Sequence, residues 1–149
     1  MSTEKLHVKI GVSGTFWHRR PVYSMLLNEH KINESREIAE ATDVVEYIEF
    51  DVDLTEGIEY KLFIRLENKT DLDVVQNEDK TSILKDMLLN IVSIELDEID
   101  LGDLVHTQSR FVGDDASRPV LTHCTNLGWN GTWELSFTSP FYIWLLENI

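Results

Sequence analysis

The chain has 149 residues, 42% of them hydrophobic, enough for one sizeable core and too few for two, so residues 1–149 are expected to form one domain. Asp and Glu number 27 against 13 Lys and Arg, a net charge of -14 with a pI near 4.6, and such a field repels duplex nucleic acid. A single cysteine, Cys124, excludes an internal disulfide and a cysteine-rich zinc site, and no run reaches the roughly 18 apolar residues of a spanning helix.

In chain order, Leu6, Val8, Ile10 and Val12 alternate with His7, Lys9 and Gly11 as a half-buried first strand. The segment Thr15 to Pro21 is a loop that brings Phe16, Trp17, His18, Arg19 and Arg20 to one end of the fold, with Trp17 a candidate for ligand stacking. Val22 to Leu27 is a second strand, Asn28 to Lys31 a turn, and Asn33 to Ala41 a loop or irregular strand with too few apolar residues to dock a helix.

The strongest pattern is the pair Asp43 to Leu54 and Ile58 to Glu67, joined by Thr55-Glu56-Gly57 with glycine in the left-handed position. We read it as a β-hairpin pairing Leu54 with Ile58, Phe50 with Leu62 and Ile48 with Ile64. Its outer carboxylates Glu49, Asp51 and Asp53 then lie on a solvated face. A polar loop, Asn68 to Lys85, leads to Met87 to Leu96, apolar on both faces as expected of a central strand covered on two sides. Gly113 to Pro119 is loop, Val120 to Thr125 a strand, and Asn130-Gly131 a two-residue hairpin turn between Trp129 and Trp133. Beyond Pro140, residues 139–149 form an apolar segment. It either closes the fold as a last strand or docks on a partner through Phe141, Tyr142, Trp144 and Leu145. Eight to ten short strands, no convincing helix and no repeat give an all-β, antiparallel β-sandwich of jelly-roll type.

Catalytic chemistry finds no footing. There is no Gly-x-Ser-x-Gly, no His-x-x-x-His and no glycine-rich phosphate loop, and Cys124 beside His123 faces the opposite way on its strand. A hard cation is better served: Asn68, Asp71, Asp73, Asn77, Asp79 and Asp86 offer oxygens within one loop, although the Asp71-Leu72-Asp73 start of an EF-hand fails at Val75. The metal candidates are Asn68, Asp71, Asp73 and Asp86, and the stacking candidates Trp17 and Trp129.

Phe50-Asp51-Val52, Glu56-Gly57, Ile64 to Asn68, the Asp71 to Asp79 loop and Asp86 to Ile99 follow one another as the motifs do in calcium-dependent, xylan-binding carbohydrate-binding modules, which this third of the chain resembles. The resemblance implies a carbohydrate-binding-module fold and a Ca2+ site that keeps Asn68 and Asp86 but has Val92 where an acidic residue is expected. The ending Asn126 to Gly131 with Phe141 to Glu147 resembles small proteins of tailed, particularly marine, bacteriophages. Together they imply a non-catalytic virion protein, a head-decoration or tail accessory subunit. It would be made in host cytoplasm, since Met1 to Lys5 carries no secretory signal, and assembled with other virion proteins or as a homo-oligomer. The alternative is a calcium-dependent glycan-binding module.

Overall fold

The alternation of the N-terminal segment becomes a long strand, β1 (Thr3–Thr15), with Leu6, Val8, Ile10 and Val12 all buried, in a computed structural model that describes residues 2–149. β2 (Val22–Leu27) and β3 (His30–Glu37) form a hairpin turned by Asn28 at φ 49°. The irregular strand expected after Asn33 is therefore the end of β3, an edge strand whose register shifts twice against Met25.

β4 (Glu46–Thr55) and β5 (Glu59–Leu66) do not pair with each other. β4 pairs with β1, placing Leu6 opposite Val52, whereas β5 lies between β2 and β13 in the other sheet. Alternation dictates that one face of each strand is buried but not which neighbour it has, and here the two faces meet across the core rather than side by side. Gly57, at φ 88°, does take the left-handed conformation, but the turn it makes crosses between sheets; its N–H donates to the carbonyl of Ser139 (2.7 Å). The outer row behaves as expected, with Glu49, Asp51 and Asp53 exposed and His7 reaching Asp51 (2.8 Å) and Glu49 (3.1 Å).

The polar loop is ordered by a 3-10 turn, Asp71–Asp73, and a small hairpin of β6 (Val75–Gln76) and β7 (Ile83–Lys85). β8 (Leu88–Leu96) follows, and its apolar residues on both faces have a different cause from the one expected. Gly11 pairs with Ser93 but Val12 with Ile91, so Val92 is the extra residue of a β-bulge. The bulge switches the phase, burying Leu89 and Ile91 before it and Ile94 and Leu96 after it on the same core, while Val92 stays outside at 47% exposure. β8 then turns back through Asp97 and Glu98, both at positive φ, into β9 (Ile99–Asp100).

After α1 (Leu104–Thr107) and β10 (Ser109–Gly113), only the Leu121–Thr122 part of the strand expected over Val120 to Thr125 forms, and a further short strand follows beyond it. β11 (Leu121–Thr122) pairs with β10, whereas β12 (Asn126–Leu127) joins β8 in the opposite sheet, the chain switching at His123 with φ 58°. Asn130-Gly131 is likewise a crossing and not a hairpin turn, because β13 (Gly131–Thr138) pairs with β10 and β5. A Cβ on Gly131 would stand 2.4 Å from the Val112 carbonyl oxygen, so glycine is required there by close approach.

The sheets, β12-β8-β1-β4 with β9 on β8, and β11-β10-β13-β5-β2-β3, are antiparallel at every pairing among the described residues and form a β-sandwich. Tyr23, Met25, Leu62, Ile64, Leu66, Phe111, Trp133, Leu135 and Phe137 face Leu6, Ile10, Leu89 and Ile94 in one core. The last segment is a helix, α2 (Phe141–Asn148), and not the closing strand that was one of the two expectations. Its run is apolar all round, and periodicity cannot separate a short buried strand from a short helix. Phe141 and Trp144 lie in the chain's own core beside Phe137, and Leu145 packs partly against it, so of the four expected docking residues only Tyr142 is outward. Glu4 accepts the Phe141 N–H (2.9 Å) and the Ser139 hydroxyl (2.8 Å), tying the helix to β1.

Candidate functional site

The loop after β5 is pinned at consecutive residues by side-chain amides that imitate strand pairing. Asn68 accepts the Val22 N–H (2.8 Å) and donates to the Arg20 carbonyl (2.9 Å). Asn130 accepts the Lys69 N–H (2.8 Å) and donates to the Lys69 carbonyl (2.9 Å). The crossing from β12 to β13 is thus fastened to the start of the polar loop, and the two, with the Gly113 to Pro119 loop, enclose a cleft of about 620 Å3 at one end of the sandwich.

Lys69, Asp71, Asp86, Asp114, Asp115, Arg118, Trp129 and Asn130 line it. The Lys69 side chain is only 9% exposed and its ammonium donates to Asp86 (2.6 Å) and to the Gly128 carbonyl (2.5 Å). Asp114 pairs with Arg65 (2.9 Å), and Asp115 accepts from the Ser117 N–H (2.9 Å) and hydroxyl (2.8 Å), bonds that hold its carboxyl below the usual range. Asp71 is exposed and has no ion-pair partner among the described residues. Trp129 packs on Phe111 (centroids 5.6 Å) and carries the Arg118 guanidinium over its ring (4.3 Å); its indole N–H is buried with no acceptor among the described residues.

Of the expected metal ligands, Asp71 and Asp86 reach this cleft, and Asn68 and Asp73 do not. Asp73 has no exposed side-chain surface and is clamped by Arg19 through Nε (2.7 Å) and Nη2 (2.6 Å), with the Thr70 N–H (2.7 Å) on the same carboxylate. The Arg19 guanidinium, more than anything else, brings its pKa down to about 2. Asn77 and Asp79 are spent on the Thr81 N–H and hydroxyl at the β6–β7 tip.

Calcium takes six to eight oxygens. Here the Asn68 oxygen is used by Val22, both Asp73 oxygens by Arg19 and Thr70, and Asp86 by Lys69, leaving Asp71. No cluster of three or more His, Cys, Asp or Glu among the described residues is arranged to hold a metal ion. The expected Asn68, Asp71, Asp73, Asp86 set therefore does not fit Ca2+, because three of its four members already have cationic or backbone partners.

Trp17, the other stacking candidate, does not line the cleft. It is 42% exposed, its indole N–H donates to the Asp73 carbonyl (3.0 Å), and the Lys85 ammonium stands over its ring (4.9 Å). The Cys124 thiol is pushed up by burial, which makes it a poor nucleophile.

No protein-family model and no curated protein matches the chain. Among solved structures, vCBM60 in complex with galactobiose aligns at TM-score 0.51 over 87% of this chain and 96% of its own, with 9% identity. The selenomethionine form of vCBM60, described in linking two circularly permuted families of calcium-dependent carbohydrate-binding modules, aligns at TM-score 0.52 over 87% and 89%, with 10% identity. The chain has the fold of a carbohydrate-binding module. The sandwich expected from alternation and the module fold expected from the resemblance are thus both met, while neither structure speaks to xylan or to phage particles.

Within that fold, Lys69, Asp114, Asp115, Arg118 and Asn130 are site residues absent from the sequence reading. The Gly113 to Pro119 loop was visible as a loop, and its Asp-Asp pair was the available signal. Nothing in its spacing connects it to Asp71. Asn130 was visible too, but as half of a turn that does not form.

Proposed function

We propose that the chain is a non-catalytic glycan-binding module that seats an uncharged oligosaccharide in the cleft between the Asn68–Asp86 loop, the Gly113–Pro119 loop and Trp129. The observation that carries this reading is the cleft itself. It combines the exposed Arg118 guanidinium, stacked on the Trp129 indole and offering a flat surface to a sugar ring, with the Asp71 carboxylate, which has no ion-pair partner among the described residues and can accept from hydroxyls. The module fold supports it, and galactobiose, bound by one of the structural neighbours, makes neutral hexose oligosaccharides the first ligands to try.

Charge narrows the class. Lys69 is neutralised by Asp86 and Arg65 by Asp114, which leaves Asp71 and Asp115 against Arg118, so the cleft keeps an excess of negative charge in a protein of net charge -14, and uronate-rich or sulfated glycans are repelled. The surface that a virion role would need is reduced, by burial of Phe141 and Trp144, to Tyr142, Ile143, Leu146 and Ile149; the cleft is the better-built surface.

Affinity electrophoresis through gels carrying neutral or acidic polysaccharides tests the reading. Retardation by at least one neutral polysaccharide and by no acidic one is expected. Asp71→Ala should weaken it about tenfold at unchanged melting temperature, since hydrogen bonds to a charged group contribute about 1.5–3 kcal/mol. Retardation by acidic polymers alone, or full binding by Asp71→Ala, would contradict it.

A further inference from the structure

The structural neighbours are tied to calcium, yet the residues that the resemblance assigns to calcium are engaged elsewhere here, and the group that engages Asp86 is itself a cation. Lys69 brings its ammonium to Asp86 (2.6 Å) and the Gly128 carbonyl (2.5 Å) from a side chain only 9% exposed. A carboxylate and a main-chain carbonyl are the oxygens a hard cation prefers. The backbone of Lys69 is fixed on both its N–H and its carbonyl by Asn130, so the ammonium is presented from a rigid base.

An ammonium has three N–H donors. Two are used by Asp86 and Gly128, which line the cleft together with Lys69, and the third has no partner among the described residues. We infer that Lys69 is a built-in substitute for calcium. It holds the polar loop to the β12–β13 crossing and gives its remaining N–H to a ligand hydroxyl, so that glycan binding and folding in this chain are independent of divalent cations. This rests on the glycan-binding reading for the ligand contact, and not for the structural part.

The two parts separate in one experiment on the full chain. Thermal unfolding of the wild type is followed with EDTA, with millimolar calcium chloride and with magnesium chloride at equal ionic strength, and neutral-polysaccharide binding is measured under the same conditions. The melting temperature is expected to be the same in the calcium and magnesium arms, and binding the same in calcium and in EDTA. Lys69→Met, which keeps most of the side chain's bulk but has no N–H to give, should weaken binding about tenfold, with calcium giving no rescue. Lys69→Arg, with its charge and donors retained, should recover part of the loss.

A rise in melting temperature specific to calcium, loss of binding in EDTA, or full binding by Lys69→Met would overturn the inference. Should Lys69→Met fail to fold, the wild-type calcium and EDTA arms still decide. If no polysaccharide binds the wild type with or without calcium, the glycan reading fails while the melting data still test the cation claim.

Discussion

Asp73 has an environment that a loop carboxylate rarely has: no exposed surface, a two-point clamp from Arg19, and the Thr70 N–H closing the turn. Its folded pKa of about 2 lies below the ordinary 3.8, so the fold favours the ionised form. The stabilisation is complete above about pH 4 and is lost as pH falls through about 2. Integrated over the shift, it amounts to about 2 kcal/mol. Urea unfolding of the wild type across this range should show that loss, and Asp73→Asn should be less stable near neutrality with a shallower acid dependence. Parallel acid curves for the two proteins would contradict this assignment. The same residue shows the limit of sequence at this scale. Its carboxylate chemistry was legible, but its partner Arg19 comes from a distant loop, and a carboxylate answering a guanidinium looks, in sequence, like one awaiting a cation.

Alternation marked most strands and most core residues of β1, β4, β5 and β13 correctly, because one buried face leaves a period of two whichever strand lies alongside. Pairing was another matter. The β4–β5 turn, the β11–β12 break and Asn130-Gly131 are all places where the chain leaves one sheet for the other, and a crossing uses the same glycine and left-handed residues as a hairpin. The β8 bulge similarly mimics a strand covered on two sides. α2 gives the sharpest test at this scale. Trp144 is 6% exposed against Phe137 and Phe141, whereas Tyr142 is 52% exposed. Trp144→Ala should cost about 3–5 kcal/mol in denaturant unfolding, and Tyr142→Ala should lie within about 0.5 kcal/mol of wild type. Equal, small effects would mean that the helix is not part of the core.

For the molecule as a whole, the net charge of -14 and the sandwich act together. The solvated face of β4 carries Glu49, Asp51 and Asp53, and the cleft at the sandwich end adds four carboxylates against Lys69 and Arg118. Such a field leaves uncharged ligands as the ones it does not discriminate against. The four tryptophans divide usefully: Trp133 and Trp144 lie in the core, Trp17 packs on the outside of the loop, and Trp129 alone lines the cleft with an indole N–H that has no acceptor among the described residues. Each indole gives one resolved N–H signal in a nitrogen-15 correlation spectrum, so titration with a neutral oligosaccharide reads the site directly. A progressive shift of the Trp129 indole signal, with those of Trp133 and Trp144 unmoved, is the result predicted for a glycan seated in the cleft. A ligand that moves only Trp17, or saturating binding that leaves Trp129 unchanged, would contradict it.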